Sequence, residues 1–184
     1  MHQIYIYMAF EKREEDVSAK GDRLKKEYEK IFGGFDYTLH PDLPDEVKGK
    51  SSNQAFAAAD AYKKLVESGK LDINCMTVTS ADADVLFDKS FFSYLSYSFL
   101  TVKDPLFTFW QSANVTYNNF WQVPSFTRVI SFFGSLWRTS VLVQHTRLVP
   151  NSVYSLSFKL LMDIGNWDVD VIPEDYRVFF KAFF

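Results

Sequence analysis

Short apolar runs alternate with charged amphipathic stretches from residue 4 to residue 81, and this alternation restricts the chain to a sheet flanked by helices. Ile4 to Phe10 is an apolar run of strand length. Glu11 to Phe32 follows as a charged helix with Val17, Leu24, Tyr28 and Ile31 on one face and a solvated Lys/Glu surface on the other. Gly33-Gly34 ends that helix, and Phe35 to Leu39 forms a second strand. His40-Pro41-Asp42-Leu43-Pro44 is a stiff loop, because each proline fixes its own backbone and restricts the preceding residue. Ser51 or Ser52 can cap a helix running to about Ser68, with Phe56, Ala59, Tyr62 and Leu65 or Val66 inward and Gly69 at its end. Asp72 to Ala81 is the next strand. The expected fold class is α/β, with a largely parallel, two-sided sheet. Such sheets bind ligands beyond the carboxyl ends of their strands.

At 184 residues the chain fits one domain with a real core. Its 18% aromatic content is high. After Leu100 charges become sparse, and aromatics crowd the stretch from Phe107 to Trp137, which burial tendencies assign to the core. The formal net charge of -3 gives no electrostatic reason to expect nucleic acid or anionic membrane as a partner. The single cysteine, Cys75, excludes an internal disulfide framework and a cysteine-based zinc cluster; its apolar neighbours suggest a buried strand thiol. The N-terminal residues lack the basic start and cleavage site of a signal peptide. The uncharged stretch from Pro105 to Thr127 is broken by polar residues and prolines, so it does not span a bilayer. By itself the chain is expected to be soluble or at most peripheral.

Three constellations can carry chemistry. Asp82-Ala83-Asp84 follows an apolar strand; in an extended segment its two carboxylates project to one side and can converge on a hard cation, although a solvated loop is the plain alternative. Gly49-Lys50-Ser51-Ser52-Asn53 joins a loop to a helix start, where free N–H groups favour phosphate. It is nearly a P-loop, but the first required glycine falls on Pro44, which excludes a nucleoside triphosphatase. Lys50 can equally be an ordinary capping-region lysine. Gly165-Asn166-Trp167-Asp168 precedes Ile172-Pro173-Glu174-Asp175-Tyr176, where acids also suit the first turn of a helix. His40 and His145 stand alone, without a triad or a ligand set, and no hydrolase follows from them.

In this order the three motifs resemble the family 2 glycosyltransferases, the group of the cellulose, chitin and hyaluronan synthases. Lys50-Ser51-Ser52-Asn53 with Ala55 is similar to a Lys-Ala-Gly-Asn-like stretch beside the nucleotide. Thr79 to Asp84 is similar to the metal-binding strand end. Gly165 to Asp168, leading into Pro173-Glu174-Asp175, is similar to a Gly-Gly-Trp-Asp and Thr-Glu-Asp pair, with Asn166 and Pro173 as departures. Pro150 to Ser157 occupies the acceptor-side stretch just before it. The resemblance implies a partial GT-A (Rossmann-like) fold in one catalytic domain cut short at both ends, with residues 1–104 binding nucleotide and metal and 105–184 on the acceptor side. A first strand would precede Ile4, and a Gln-x-x-Arg-Trp motif and transmembrane helices would lie outside the chain.

The implied activity is hexosyl transfer with inversion, from a nucleotide-sugar such as a UDP-sugar to a carbohydrate or lipid-linked hydroxyl, as in polysaccharide biosynthesis at the cytoplasmic face of a membrane. Asp82 and Asp84 would hold Mg²⁺ or Mn²⁺ on the diphosphate, and Lys50 and Asn53 would sit beside the nucleotide. Asp175 would be the general base with Glu174 orienting it, and Trp167 and Asp168 would line the acceptor. Two alternatives belong to other classes: a non-catalytic remnant of such an enzyme, and an aromatic-rich module that docks on a membrane or a protein.

Overall fold

The computed structural model describes residues 3–143 and 149–184; His145 lies outside the described residues. The chain divides into two compact units, one of residues up to Met76 together with Leu161–Phe184, the other of Thr77–Leu160. This division does not follow the expected boundary at residues 104 and 105. The strand preceding the Asp-Ala-Asp motif pairs with strands of the aromatic region, and the last residues belong with the first.

The first unit is built on a parallel pair. Strand β1 (Tyr5–Glu11) pairs with β2 (Gly34–His40) in a continuous register from Tyr5 opposite Gly34 to Glu11 opposite His40. Helix α1 (Val17–Tyr28) makes the crossover between them. It is shorter than the sequence pattern suggests, because residues 12–16 form turns and the Lys12 N–H donates to the His40 carbonyl at 2.9 Å. Ile31 lies past the helix end and is exposed. Alternation along β2 covers both of its faces, as the sequence pattern requires. Phe35 stacks on Tyr28 of α1, and Tyr37 donates its hydroxyl to Asp22 of α1 at 2.7 Å. On the other face the ring of His40 meets Phe56 of α2 (Lys50–Ala61) edge-on at 4.9 Å.

Helix α2 turns small residues inward: Ser51, Ser52, Ala55, Ala58 and Ala61 are buried, whereas Phe56, expected inside, is largely exposed. Small side chains let the helix backbone come close to the strands, so the large residue is displaced outward. The helix runs on as a π-helical segment, Tyr62–Glu67, whose Leu65 is buried. Asp36 on β2 receives Lys25 from α1 at 2.9 Å and Lys64 from this segment at 2.6 Å. Burial opposes its ionisation, but the two lysines and the Tyr37 N–H outweigh that and hold its carboxyl below the usual range.

The expected third strand starts late. Ile73–Cys75 is a 3₁₀ turn, capped by the Asp72 carboxylate accepting the Asn74 N–H at 3.0 Å, and this turn leaves Cys75 exposed instead of buried in a strand. In the second unit β3 (Thr77–Ser80) and β4 (Phe109–Gln111) both pair antiparallel with a central β5 (Tyr154–Ser157). All four β5 residues are buried. The fold is therefore mixed α/β, with one parallel pair and one antiparallel sheet, and not mostly parallel. Helices separate β3, β4 and β5 in sequence as well, so the alternation of elements does not by itself dictate parallel pairing. Helices α3 (Phe91–Thr101) and α4 (Ser125–Val141) belong to this unit. Helix α5 (Phe158–Asp163) follows β5 directly, and α6 (Glu174–Phe183) closes the described chain.

Gly21 on α1 is one of two tightly fitted glycines in the first unit: an added Cβ there would lie 2.8 Å from the Tyr37 ring. Gly21→Val is expected to cost about 1–3 kcal/mol through overpacking, read as a lower urea midpoint at unchanged slope. An unchanged midpoint would show that the Tyr37 ring moves aside freely.

Candidate functional site

The loop-to-helix motif around Lys50 and the Gly-Asn-Trp-Asp to Glu-Asp segment come together in the first unit. Gly49, at the start of α2, has φ 155 and ψ -162, a backbone region that only glycine adopts without strain. That kink starts the helix at Lys50 and lets Ser52 Oγ donate to the Val47 and Gly49 carbonyls at 2.9 and 3.2 Å. Ser51 Oγ donates to the Asp168 carbonyl, and the Val47 N–H donates to the Val169 carbonyl at 2.8 Å. Lys50 Nζ lies 3.0 Å from Glu174 Oε1. Glu174 is only 7% exposed, so it is more than an acid placed to suit a helix dipole.

Asn166 explains its own departure from glycine. Its φ is 67, following Gly165 at φ 83, and asparagine tolerates this left-handed region better than other side chains. It then does what glycine cannot: Nδ2 donates to the Ala55 carbonyl of α2 at 2.8 Å, and Oδ1 accepts the Trp167 N–H at 2.9 Å. Trp167 itself is 4% exposed, so its indole is core and not an open platform for a sugar. Asp168 accepts Arg177 Nε at 2.7 Å and also Lys181 Nζ, both from α6. Burial raises its carboxyl pKa, but the two cations prevail and hold it below the ordinary carboxylate range. Asp168 therefore clamps the loop to α6. Asp175 is half-buried, with Oδ1 accepting the Tyr176 N–H at 2.9 Å.

Sequence reasoning missed the cleft at the carboxyl ends of β1 and β2. It is small, about 20 Å³, and is lined by Glu11, Arg13, His40, Asp42, Glu46, Lys48 and Asn53, among others. Its polar groups are held: Lys48 Nζ donates to Asp42 at 2.7 Å, His40 Nε2 lies 2.9 Å from Glu46, and Arg13 pairs with Glu11. Asn53 Nδ2 donates to Glu11 at 3.3 Å, while its buried Oδ1 has no hydrogen-bond partner among the described residues. A second, open cleft of about 460 Å³ shares His40, Glu46 and Ser52 with the first and is walled by residues 165–170. The charged loop after β2 was the available signal, since parallel strands of this kind gather ligands at that end.

Asp82 and Asp84 belong to the second unit and are exposed. They do not lie on an extended strand: β3 ends at Ser80, and the Val85 N–H donates to the Asp82 carbonyl at 3.2 Å, closing a turn. Strand alternation thus does not align the two carboxylates; a turn, which aspartate favours, carries both. Ser152 Oγ donates to Asp82 Oδ2 at 3.0 Å. Among the described residues no group of three or more His, Cys, Asp or Glu forms a metal cluster. Two hard carboxylate donors on one exposed turn still suit Mg²⁺ or Mn²⁺ when a ligand's oxygens and water supply the other positions.

The Asp168 clamp sets a pH dependence. Its folded pKa lies below the unfolded value of about 3.9, so its stabilisation is complete above that value and is lost as pH falls through the folded pKa. Asp168→Asn is expected to lose about 1 kcal/mol at neutral pH, after allowance for solvent around Arg177, and to flatten the acid side of the stability curve. Parallel curves for the two proteins below pH 4 would remove Asp168 from this role. Comparison of the chain with protein-family models, curated proteins and solved structures finds no match.

Proposed function

We propose that the chain is a metal-dependent, inverting glycosyltransferase of the GT-A type that uses a nucleotide-sugar, a UDP-sugar in the first instance. The observation that carries this reading is the assembly of two of the three sequence motifs. The Lys50 helix start and the Gly165–Asp175 segment are far apart in sequence, yet they share the Lys50–Glu174 pair and the Ser51–Asp168 and Asn166–Ala55 hydrogen bonds. A chance resemblance in three short stretches gives no reason for such assembly.

In this reading the nucleotide lies across the carboxyl ends of β1 and β2, over the small cleft there and not inside it. Arg13 and Lys48 stand there paired with Glu11 and Asp42 and would have to exchange those partners for phosphate, and the unpartnered Asn53 Oδ1 offers an acceptor for a donor group on a base or ribose. Lys50 acts through its pair with Glu174, which fixes the first turn of α6. Asp82 and Asp84 would be the residues that hold Mg²⁺ or Mn²⁺, a charge of the kind that offsets negative charge on a leaving group. Asp175 accepts the proton of the acceptor hydroxyl as it attacks the anomeric carbon from the face opposite the leaving group, which inverts that centre. The acceptor is a carbohydrate or a lipid-linked hydroxyl.

The test is calorimetry with UDP, together with UDP release from a panel of UDP-sugars in Mn²⁺ or Mg²⁺. UDP binding is expected to require the metal and to be lost in Asp84→Asn. Asp175→Asn is expected to keep UDP affinity and lower turnover by about 10²–10⁴-fold, the share of a general base. Metal-independent UDP binding, unchanged in Asp84→Asn, would sink the reading.

A further inference from the structure

The three acids that line the small cleft at the carboxyl ends of β1 and β2 each face a base. Arg13 pairs with Glu11, His40 Nε2 lies 2.9 Å from Glu46, and Lys48 Nζ donates to Asp42 Oδ2 at 2.7 Å. The acids are not held alike. The side chain of Glu11 is 17% exposed and that of Glu46 19%, whereas that of Asp42 is 54% exposed. Glu11 ends β1 opposite His40 and also accepts Asn53 Nδ2 from α2 at 3.3 Å. Glu46 adjoins Val47, whose N–H is fastened to the Val169 carbonyl. Asp42 stands instead in the loop between Pro41 and Pro44, and its partner Lys48 is itself 53% exposed.

Asp42 is also the carboxylate on which the bases of the cleft act together. Its carboxyl is held below the ordinary carboxylate range, first by the Lys48 hydrogen bond; desolvation opposes this, and Lys48, Arg13 and His40 add to it electrostatically. Three basic side chains acting on one exposed carboxylate, at the end of a parallel pair where such sheets gather ligands, make a place for an anion. The occupant here is the chain's own Asp42. An exposed ion pair is weak, so a dianionic phosphate group, with more charge and more acceptor oxygens than a carboxylate, can take Lys48 from Asp42. The cleft beneath, about 20 Å³, is too small to take the whole group in, so the phosphate rests at its mouth beside Lys48.

We propose that the loop from Pro41 to Lys48 carries a phosphate-binding site that Asp42 occupies until a ligand's phosphate displaces it. The proposal goes beyond the sugar-transfer reading and does not rest on it: the probe is inorganic phosphate, with no sugar, nucleotide or metal present. The experiment is titration of the full chain with phosphate at low salt, followed by the NMR shifts of the loop amides. The parent is expected to bind weakly and Asp42→Asn about fivefold more tightly, the worth of one exposed pair. High salt should weaken binding by both. Asp45→Asn changes the charge of the same loop equally but removes no partner of Lys48, and it is expected to bind as the parent does. Adding Lys48→Gln to Asp42→Asn should abolish the gain. All three side chains are exposed, so thermal midpoints are expected to stay as in the parent. No gain in Asp42→Asn, an equal gain in Asp45→Asn, or a gain that survives Lys48→Gln overturns the proposal. Uridine monophosphate in place of phosphate separates the sources: tighter binding assigns the site to a nucleotide's phosphate and equal binding to a free anion, and both support the site.

Discussion

The first unit depends on how a loop with two left-handed residues is fastened to the start of α2. Gly165 and Asn166 turn the backbone, and the following residues then meet α2 and its preceding loop through the Asn166–Ala55, Val47–Val169 and Ser51–Asp168 hydrogen bonds. Each is modest, about 0.5–1.5 kcal/mol net. Their collective effect is larger than that figure suggests, because leaving any of these buried backbone carbonyls or N–H groups unpaired would cost more than making the bond returns. The helix start, the Gly49 kink and the loop are thus mutually required, and the clefts walled by His40, Ser52 and residues 165–170 are shaped by that fastening.

Much of this was legible in the sequence. Apolar runs located β1 and β2 to within a residue or two, and Gly69 marked the end of the helical run through Glu67, because strand alternation and backbone freedom are local properties; α1, by contrast, ends at Tyr28, well before Gly33. The three motifs were legible as residues. What each residue touches was not. Nothing near Lys50 announces Glu174 as its partner; opposite charge at two helix starts is common, and only the fold brings this pair to 3.0 Å. Trp167 read as an acceptor platform and lies in the core, since an indole in a short loop looks the same whether the loop folds inward or outward. Asp82 and Asp84 read as strand residues, but a turn carries them, because the apolar run ends two residues before the first acid.

The aromatic region shows a different limit. Periodicity reveals that α4 has an apolar stripe but cannot say on which side water lies. Burial tendencies assigned the stripe to the core, and the structure turns it out.

Glu174 and Asp175 show how adjacent acids acquire separate roles. Neighbouring positions on a helix point about 100° apart. With Val178 buried on α6 and Lys181 tied to the Asn166 carbonyl at 2.9 Å, the rotation of the helix is fixed. Glu174 then falls on the inner side and is held by Lys50, while Asp175 falls partly outside. A carboxylate that is buried and paired with lysine is held in place, so Glu174 is suited to anchoring α6. Of the two, Asp175 alone combines a fixed backbone with solvent access, which a general base requires. Glu174 thus anchors the helix turn that carries Asp175.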